Sequence, residues 1–106
     1  MDDNFEKSFP WIDTHTHLHV KRFNRERENI LQWMLEKELR NIEIPIEYDS
    51  NFLMREKLAD FENARFAVGV HPTRVHKITA KDARKQLEKL AVHPDTVAIG
   101  ETGLDF

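Results

Sequence analysis

Short apolar segments alternate with longer amphipathic ones along this chain, and this alternation is the feature that most narrows its fold. The strand-like segments are four, at residues 10–17, 42–46, 65–70 and 96–99. The segments with helical character are three, at about 25–40, at about 51–62 and between Thr79 and His93. Strands connected by helices pair in parallel, because each helix carries the chain back to the starting edge of the sheet. The sequence therefore predicts an α/β fold with four parallel strands and three crossover helices, arranged as a barrel or as an open sheet.

Local signals predict where these helices and strands end. Asn24 is a suitable N-cap for the first helix, and Asn41 can end that helix in the left-handed backbone region. Thr79, followed three residues later by Asp82, forms a capping box that opens the third helix. In the second strand, three isoleucines alternate with Glu43, Pro45 and Glu47, and this pattern predicts a strand with one buried face.

Composition limits the functions that the chain can serve. The 106 residues include 16 basic and 19 acidic side chains, and the resulting net charge of -3 argues against a general nucleic-acid coat. An enzyme that meets phosphates through a metal stays compatible with this charge, since the cation supplies the positive charge. The chain has no cysteine, so any metal must be held by nitrogen and oxygen. No apolar run approaches the roughly 18 residues of a membrane span and no signal peptide is visible, so we expect a cytoplasmic protein without membrane contact.

Chemically active residues follow three of the four predicted strands. His15 and His17 stand at the end of the first strand, and His71 and Glu101 follow the third and fourth strands. Residues two apart in a strand point to one side, and the carboxyl ends of parallel strands meet at one rim. Imidazole and carboxylate ligands suit Zn, Mn, Fe or Co, and a bridging glutamate can hold two ions. Taken alone, the histidine pair would be a surface feature and Glu101 a solvated carboxylate, but their shared position favours a metal site.

Three motifs in this order resemble those of the TatD family of metal-dependent hydrolases, in the amidohydrolase-like superfamily. They are Asp-Thr-His-Thr-His-Leu at 13–18, Val-Gly-Val-His-Pro at 68–72 and Ala-Ile-Gly-Glu-Thr-Gly-Leu-Asp-Phe at 98–106. The resemblance implies the N-terminal half of a TIM-like (β/α) barrel, a single partial domain over 1–106. The mostly polar composition of residues 1–9 predicts a flexible lead-in to this domain. It also implies hydrolysis of phosphodiester bonds, typically in DNA, at a complete centre of two divalent ions (Zn, Mn, Mg, Co or Fe).

By position, the resemblance assigns a role to each residue of the rim. His15 and His17 would bind one metal, and Glu101 would bridge two metals as the catalytic residue. His71 would face the substrate, at its phosphate. The ligands would be supported by two aspartates, Asp13 and Asp105.

The chain also departs from the family pattern. His19 stands where the family tends to have aspartate, which we interpret as a loop substitution. Two later histidines and a late aspartate, which complete the metal site in the family, have no counterpart in these 106 residues. The open first and fourth strands of a half-barrel predict a homo-oligomer or pairing with a complementing C-terminal half. Two other interpretations stay open: another amidohydrolase-like hydrolase acting on esters, amides or rings, and an inactive half-barrel that binds a metal or a partner.

Overall fold

The computed structural model describes residues 11–58 and 60–103, which form alternating strands and helices. The strands are β1 (Trp11–Thr16), β2 (Leu39–Glu43), β3 (Ala64–Val68) and β4 (Thr96–Ile99). The α-helices are α1 (Arg27–Glu36), α2 (Ser50–Leu58) and α3 (Ala80–Ala91), and two 3-10 helices lie at Lys21–Phe23 and Pro72–Lys77. Within the described ranges, no helix is long and apolar enough to cross a bilayer. The lead-in expected at 1–9 lies outside the described residues.

All four strands pair in parallel, in the sheet order β1-β2-β3-β4. An open doubly wound sheet reverses its strand order at a switch point, whereas a barrel adds each strand beside the previous one. The observed order confirms the prediction of four parallel strands with helical crossovers, and it is the order of half a TIM-like barrel. Among the described residues, β1 and β4 each pair with one neighbour, so the two outer edges of the sheet are open there.

The core lies between one face of the sheet and the helices α1 and α2. Its buried members come from α1, α2, β3 and the adjoining loops: Leu18, Leu31, Met34, Met54, Leu58, Phe61, Ala64 and Phe66. Burial of each large side chain stabilises the fold by about 1.5–3 kcal/mol. Helix α3 packs more loosely and has no fully buried side chain. It begins as predicted, because Thr79 Oγ1 accepts a hydrogen bond from the backbone N–H of Asp82 at 3.2 Å.

The first helix is shorter than predicted, and neither asparagine caps it. Helix α1 begins at Arg27, and Asn24 Oδ1 accepts a hydrogen bond from Arg27 Nη2 at 2.8 Å instead of capping the backbone. The residue in the left-handed region is Glu38, with φ 54°. Asn41 lies inside β2 and donates from Nδ2 to Thr16 Oγ1 on β1 at 2.9 Å. A tertiary hydrogen bond therefore outweighs the local preference of asparagine for a helix end.

Strand β2 starts three residues earlier than predicted, and its polar side chains are the buried ones. Glu43 is 0% exposed, whereas Ile42 is only half-buried. The predicted apolar face is therefore wrong for this strand. A carboxylate tolerates burial only where hydrogen bonds satisfy it, and Glu43 finds such donors at the end of β1 and in the loop that follows it.

Candidate metal centre

The carboxyl ends of β1, β3 and β4 bring four predicted site residues to one rim. His15 lies in β1, His17 directly follows it, and His71 and Glu101 lie just beyond β3 and β4. The two carboxylate oxygens of Glu101 face different rings: Oε2 lies 3.4 Å from His15 Nε2, and Oε1 lies 3.3 Å from His71 Nε2. One ligand atom from each of His15, His17 and Glu101 lies within 4.8 Å of the other two. The fold thus gathers the three residues for which metal binding was predicted.

A backbone contact to the segment after β2 fixes the ring of His17. Its Nδ1 lies 2.8 Å from the carbonyl oxygen of Ile44. A carbonyl oxygen can only accept, so Nδ1 carries the ring hydrogen and donates it. The lone pair is then on Nε2, which is the nitrogen able to bind a cation. The contact with Ile44 therefore leaves Nε2 of His17 available to bind a cation.

The ring of His71 has the opposite arrangement. Its Nδ1 accepts a hydrogen bond from the backbone N–H of Thr73 at 3.1 Å and lies 2.9 Å from the hydroxyl oxygen of the same residue. Nδ1 therefore holds a lone pair, and the ring hydrogen is on Nε2, which faces Glu101. In this tautomer His71 can donate a hydrogen bond through Nε2 but cannot bind a cation with it. The rim thus combines one histidine whose Nε2 can bind a cation with one whose Nε2 can donate a hydrogen bond.

Glu101 is placed by close contact between the ends of β3 and β4. Gly69 follows β3, and a Cβ atom built on it would lie 2.6 Å from the carbonyl oxygen of Gly100 and 2.9 Å from that of Glu101. Gly69 is itself held by the buried Asn51, which accepts from its N–H at 3.0 Å and donates to its carbonyl at 2.7 Å. The roles of Gly69 and Asn51 were not predicted from the sequence. A glycine directly after an apolar strand was the only local signal for this contact.

Of the two aspartates predicted to support the ligands, the structure describes Asp13. Asp13 Oδ1 accepts a hydrogen bond from the backbone N–H of His15 at 3.1 Å, so this aspartate contacts the main chain of β1 rather than an imidazole. Asp105 lies outside the described residues.

A buried histidine–glutamate pair next to the rim was not predicted. His19 lies in the loop after β1, as expected, but it is 2% exposed, and its Nδ1 lies 2.6 Å from Glu43 Oε2. Burial alone would raise the pKa of Glu43. Hydrogen bonds from the side chains of His19 and Thr16, and from the backbone of Leu18 and His19, outweigh this effect and hold the pKa below its ordinary value of 4.5. Glu43 is therefore a buried carboxylate.

The donor set fits a divalent cation. Two imidazole nitrogens and one carboxylate are ligands that Zn, Mn, Fe and Co accept, and the chain has no thiolate to compete with them. His15 and Glu101 are partly exposed, with 53% and 28% of their side-chain surface accessible, so solvent and substrate can reach the site. Three protein ligands with open positions are typical of catalytic rather than structural metal sites.

The chain is similar in sequence to one family model and to three known proteins. The family model of the TatD related DNase matches residues 12–106. The metal-dependent hydrolase YabD of Bacillus subtilis (strain 168) is 27% identical over 97 residues, which are 90% of this chain and 37% of that protein. The metal-dependent hydrolase BU355 of Buchnera aphidicola is 33% identical over 104 residues, which cover 90% of this chain and 39% of that protein.

A shorter match has higher identity. The metal-dependent hydrolase TatD of Mycobacterium tuberculosis is 54% identical over 40 residues, which are 38% of this chain and 15% of that protein. The chain thus spans less than two fifths of the length of these relatives. Because the family model matches nearly the whole chain, and because the matched region contains all four rim residues, the chain belongs to the TatD family.

Proposed function

We propose that this chain supplies the N-terminal half of a metal-dependent hydrolase that cleaves phosphodiester bonds, with DNA as the substrate class. The observation that carries the proposal is the convergence of His15, His17 and Glu101, whose ligand atoms lie within 4.8 Å of one another. The relatives are described as metal-dependent hydrolases, and the matching family model is that of a DNase. Both descriptions favour hydrolysis over a purely structural site.

In this proposal His15 and His17 each give one imidazole nitrogen to a divalent cation, and Glu101 gives a carboxylate oxygen. A cation bound there would polarise a phosphoryl oxygen and neutralise charge that develops on it. Glu101 has its two oxygens directed to different sides of the rim, which allows it to serve a second ion in the complete site. It is therefore the residue to which we assign the central catalytic role.

His71 is the proposed substrate-binding residue. Its Nδ1 is occupied by Thr73, so the ring presents an N–H group at Nε2 on the same side as Glu101. An N–H donor suits a phosphate oxygen, which is a strong hydrogen-bond acceptor. A neutral ring is sufficient for this role, because the cation supplies the positive charge.

The remaining ligands are proposed to come from outside these 106 residues. The chain covers less than two fifths of its relatives, and β1 and β4 each have one neighbour in the described part of the sheet. A complementing C-terminal half or a second copy of the chain could pair with these edges and complete the rim. The proposed partners are therefore DNA and a polypeptide that closes the barrel.

The test is hydrolysis of a labelled DNA oligonucleotide by the purified chain, mixed with the C-terminal part of its relative YabD to complete the rim, with Mn²⁺, Zn²⁺ or Mg²⁺ and beside a lactone and an amide substrate. Glu101→Gln removes the proposed bridging carboxylate, and Glu62→Gln makes the same charge change at an exposed site before β3. We expect metal-dependent DNA cleavage that Glu101→Gln abolishes and Glu62→Gln retains. Faster hydrolysis of the lactone or amide would indicate another amidohydrolase-like activity, and metal binding without any hydrolysis would indicate a binding module.

A further inference from the structure

Two buried side chains of opposite charge hold the loop that follows His17. This loop, residues 18–20, connects β1 to the first 3-10 helix. Glu43 is 0% exposed and Arg27 is 7% exposed. Burial of a charge is strongly unfavourable unless hydrogen bonds satisfy it, so the contacts of these two side chains must offset a considerable desolvation penalty. Both sets of contacts go to the same short loop.

Glu43 accepts hydrogen bonds from both sides of His17. Its Oε1 accepts from the hydroxyl group of Thr16 at 2.7 Å, and its Oε2 accepts from the backbone N–H of His19 at 2.6 Å. The ring Nδ1 of His19 lies at the same distance, 2.6 Å, from Oε2. One carboxylate therefore connects the residue before His17 to the second residue after it. This connection matters because β1 ends at Thr16, and regular strand pairing does not extend to His17.

Arg27 binds the carbonyl groups of the same loop. Its Nε donates to the carbonyl oxygen of Leu18 at 2.7 Å, and its Nη2 donates to those of His19 and Val20, each at 3.0 Å. The carboxylate thus accepts hydrogen bonds from this part of the chain, and the guanidinium donates hydrogen bonds to it. Together they fix the path by which the chain leaves the sheet at His17.

From this arrangement we infer that Glu43 is a positioning residue of the metal centre, which acts on His17 through Thr16 and His19. The inference rests on the proposed function, because it takes His17 to be a ligand of the cation. In the described part of the chain, the hydrogen bonds of Glu43 go to neighbours of His17 rather than to the three proposed ligands. Loss of the carboxylate would therefore leave all three donors present and change how well one of them is held. Loss of such outer partners typically weakens metal affinity 10- to 100-fold.

The experiment compares Co²⁺ binding by the wild-type chain and three variants, followed by calorimetry and by visible absorption of the bound ion. Glu43→Gln removes the charge and two acceptor positions, while His19→Asn keeps a donor near the position of Nδ1. Leu31→Val is the control, since it lowers stability through the core while every group that hydrogen-bonds to the loop is kept. Nitrogen–proton NMR spectra of the metal-free samples report the tautomer of the His17 ring.

We expect Glu43→Gln to weaken Co²⁺ binding 10- to 100-fold and to change the absorption of the saturated complex. Its His17 ring signals should average between the two tautomers, whereas the wild-type ring should show a hydrogen on Nδ1 alone. His19→Asn, which keeps the backbone N–H and a side-chain donor, should weaken binding less than Glu43→Gln, and Leu31→Val should stay close to wild type in all three measurements. If Glu43→Gln does not fold, Glu43→Asp replaces it, because the shorter side chain keeps the charge but cannot reach both Thr16 and His19.

Two results would overturn the inference in different ways. A folded Glu43 variant with wild-type affinity, absorption and His17 signals would show that the carboxylate serves stability alone. A wild-type chain that binds no Co²⁺ would contradict the proposed function, and the positioning role in metal binding would fall with it. In that case the NMR signals of the variant still decide whether Glu43 orders the His17 ring, so the two failures are distinguishable.

Discussion

Replacing Gly69 with alanine should damage the metal centre without altering any ligand. The added Cβ atom would lie 2.6 Å from the carbonyl oxygen of Gly100, 2.8 Å from its carbonyl carbon and 2.9 Å from the carbonyl oxygen of Glu101. All three are backbone atoms, so no side chain can rotate away. Asn51 holds Gly69 on its other side, which directs the displacement toward β4 and Glu101.

The expected size of the effect follows from this overlap. Ordinary contact begins at 3.4 Å, so the closest atom must move by about 0.8 Å. Overpacking of this kind destabilises proteins by about 1–3 kcal/mol. Each kcal/mol corresponds to about 4–8 °C in the melting temperature of a domain of 60–100 residues. Ligand sites tolerate only about 0.5 Å of misplacement, so we expect metal affinity to fall at least about tenfold as Glu101 moves away from His15.

Gly100→Ala is the matched control, because a Cβ atom at Gly100 would meet nothing within 4 Å. Thermal unfolding and Mn²⁺ titration of the two variants beside the wild type test the reasoning. We expect Gly69→Ala to lose both stability and metal affinity, and Gly100→Ala to retain stability. Equal behaviour of the two variants, or a Gly69→Ala protein with wild-type affinity, would refute the argument that backbone contact between β3 and β4 places Glu101.

Three further predictions concern the stability of the fold. Glu43 has a pKa below its ordinary value of 4.5, so in mildly acidic solution the folded state binds fewer protons than the unfolded state. The ionised Glu43 therefore stabilises the fold fully above the unfolded-state pKa, and this stabilisation is lost as the pH falls through the folded-state pKa. Between about pH 3 and about pH 6, the free energy of unfolding of Glu43→Gln in urea should therefore rise less with pH than that of the wild type. An equal rise in the two proteins would contradict the lowered pKa of Glu43. Thr79→Ala should lower the free energy of unfolding by about 1 kcal/mol through loss of the α3 cap, and Thr79→Ser should restore most of it. Asn51→Ala should destabilise the protein by about 1–3 kcal/mol, because it leaves the buried N–H and carbonyl of Gly69 without partners. A urea-unfolding midpoint equal to that of the wild type would show that these backbone groups find other hydrogen-bond partners.

The order of the elements and the rim residues could be predicted from sequence because the signals are local. Periodicity marks each strand and helix within a few residues, and Thr79 with Asp82 opens α3 where the capping box predicts. His15 and His17 are two residues apart on one strand. Glu101 follows another strand, and parallel pairing then places all three at one rim. The architecture thus follows from short-range patterns and one rule of connection.

The missed features all depend on contacts between distant parts of the chain. Glu43 can be buried because Thr16 and His19 donate hydrogen bonds to it, and both residues lie more than twenty positions earlier in the sequence. Asn41 enters β2 rather than ending a helix because Thr16 offers it a partner across the sheet. The need for glycine at 69 arises from backbone atoms of Gly100, which the strand order brings next to it. Alternation and propensity carry no information about such neighbours.

Calorimetric titration of the metal-free chain with Mn²⁺ and Zn²⁺ tests the central claim most directly. The wild type is compared with the double variant His15→Ala/His17→Ala, with Glu101→Gln and with the charge-matched control Glu62→Gln. If the three rim residues form a metal centre, the wild type and Glu62→Gln bind the ion, and the other two variants lose binding. Equal binding by all four proteins, or no binding by the wild type, would contradict the assignment of a metal centre to this rim.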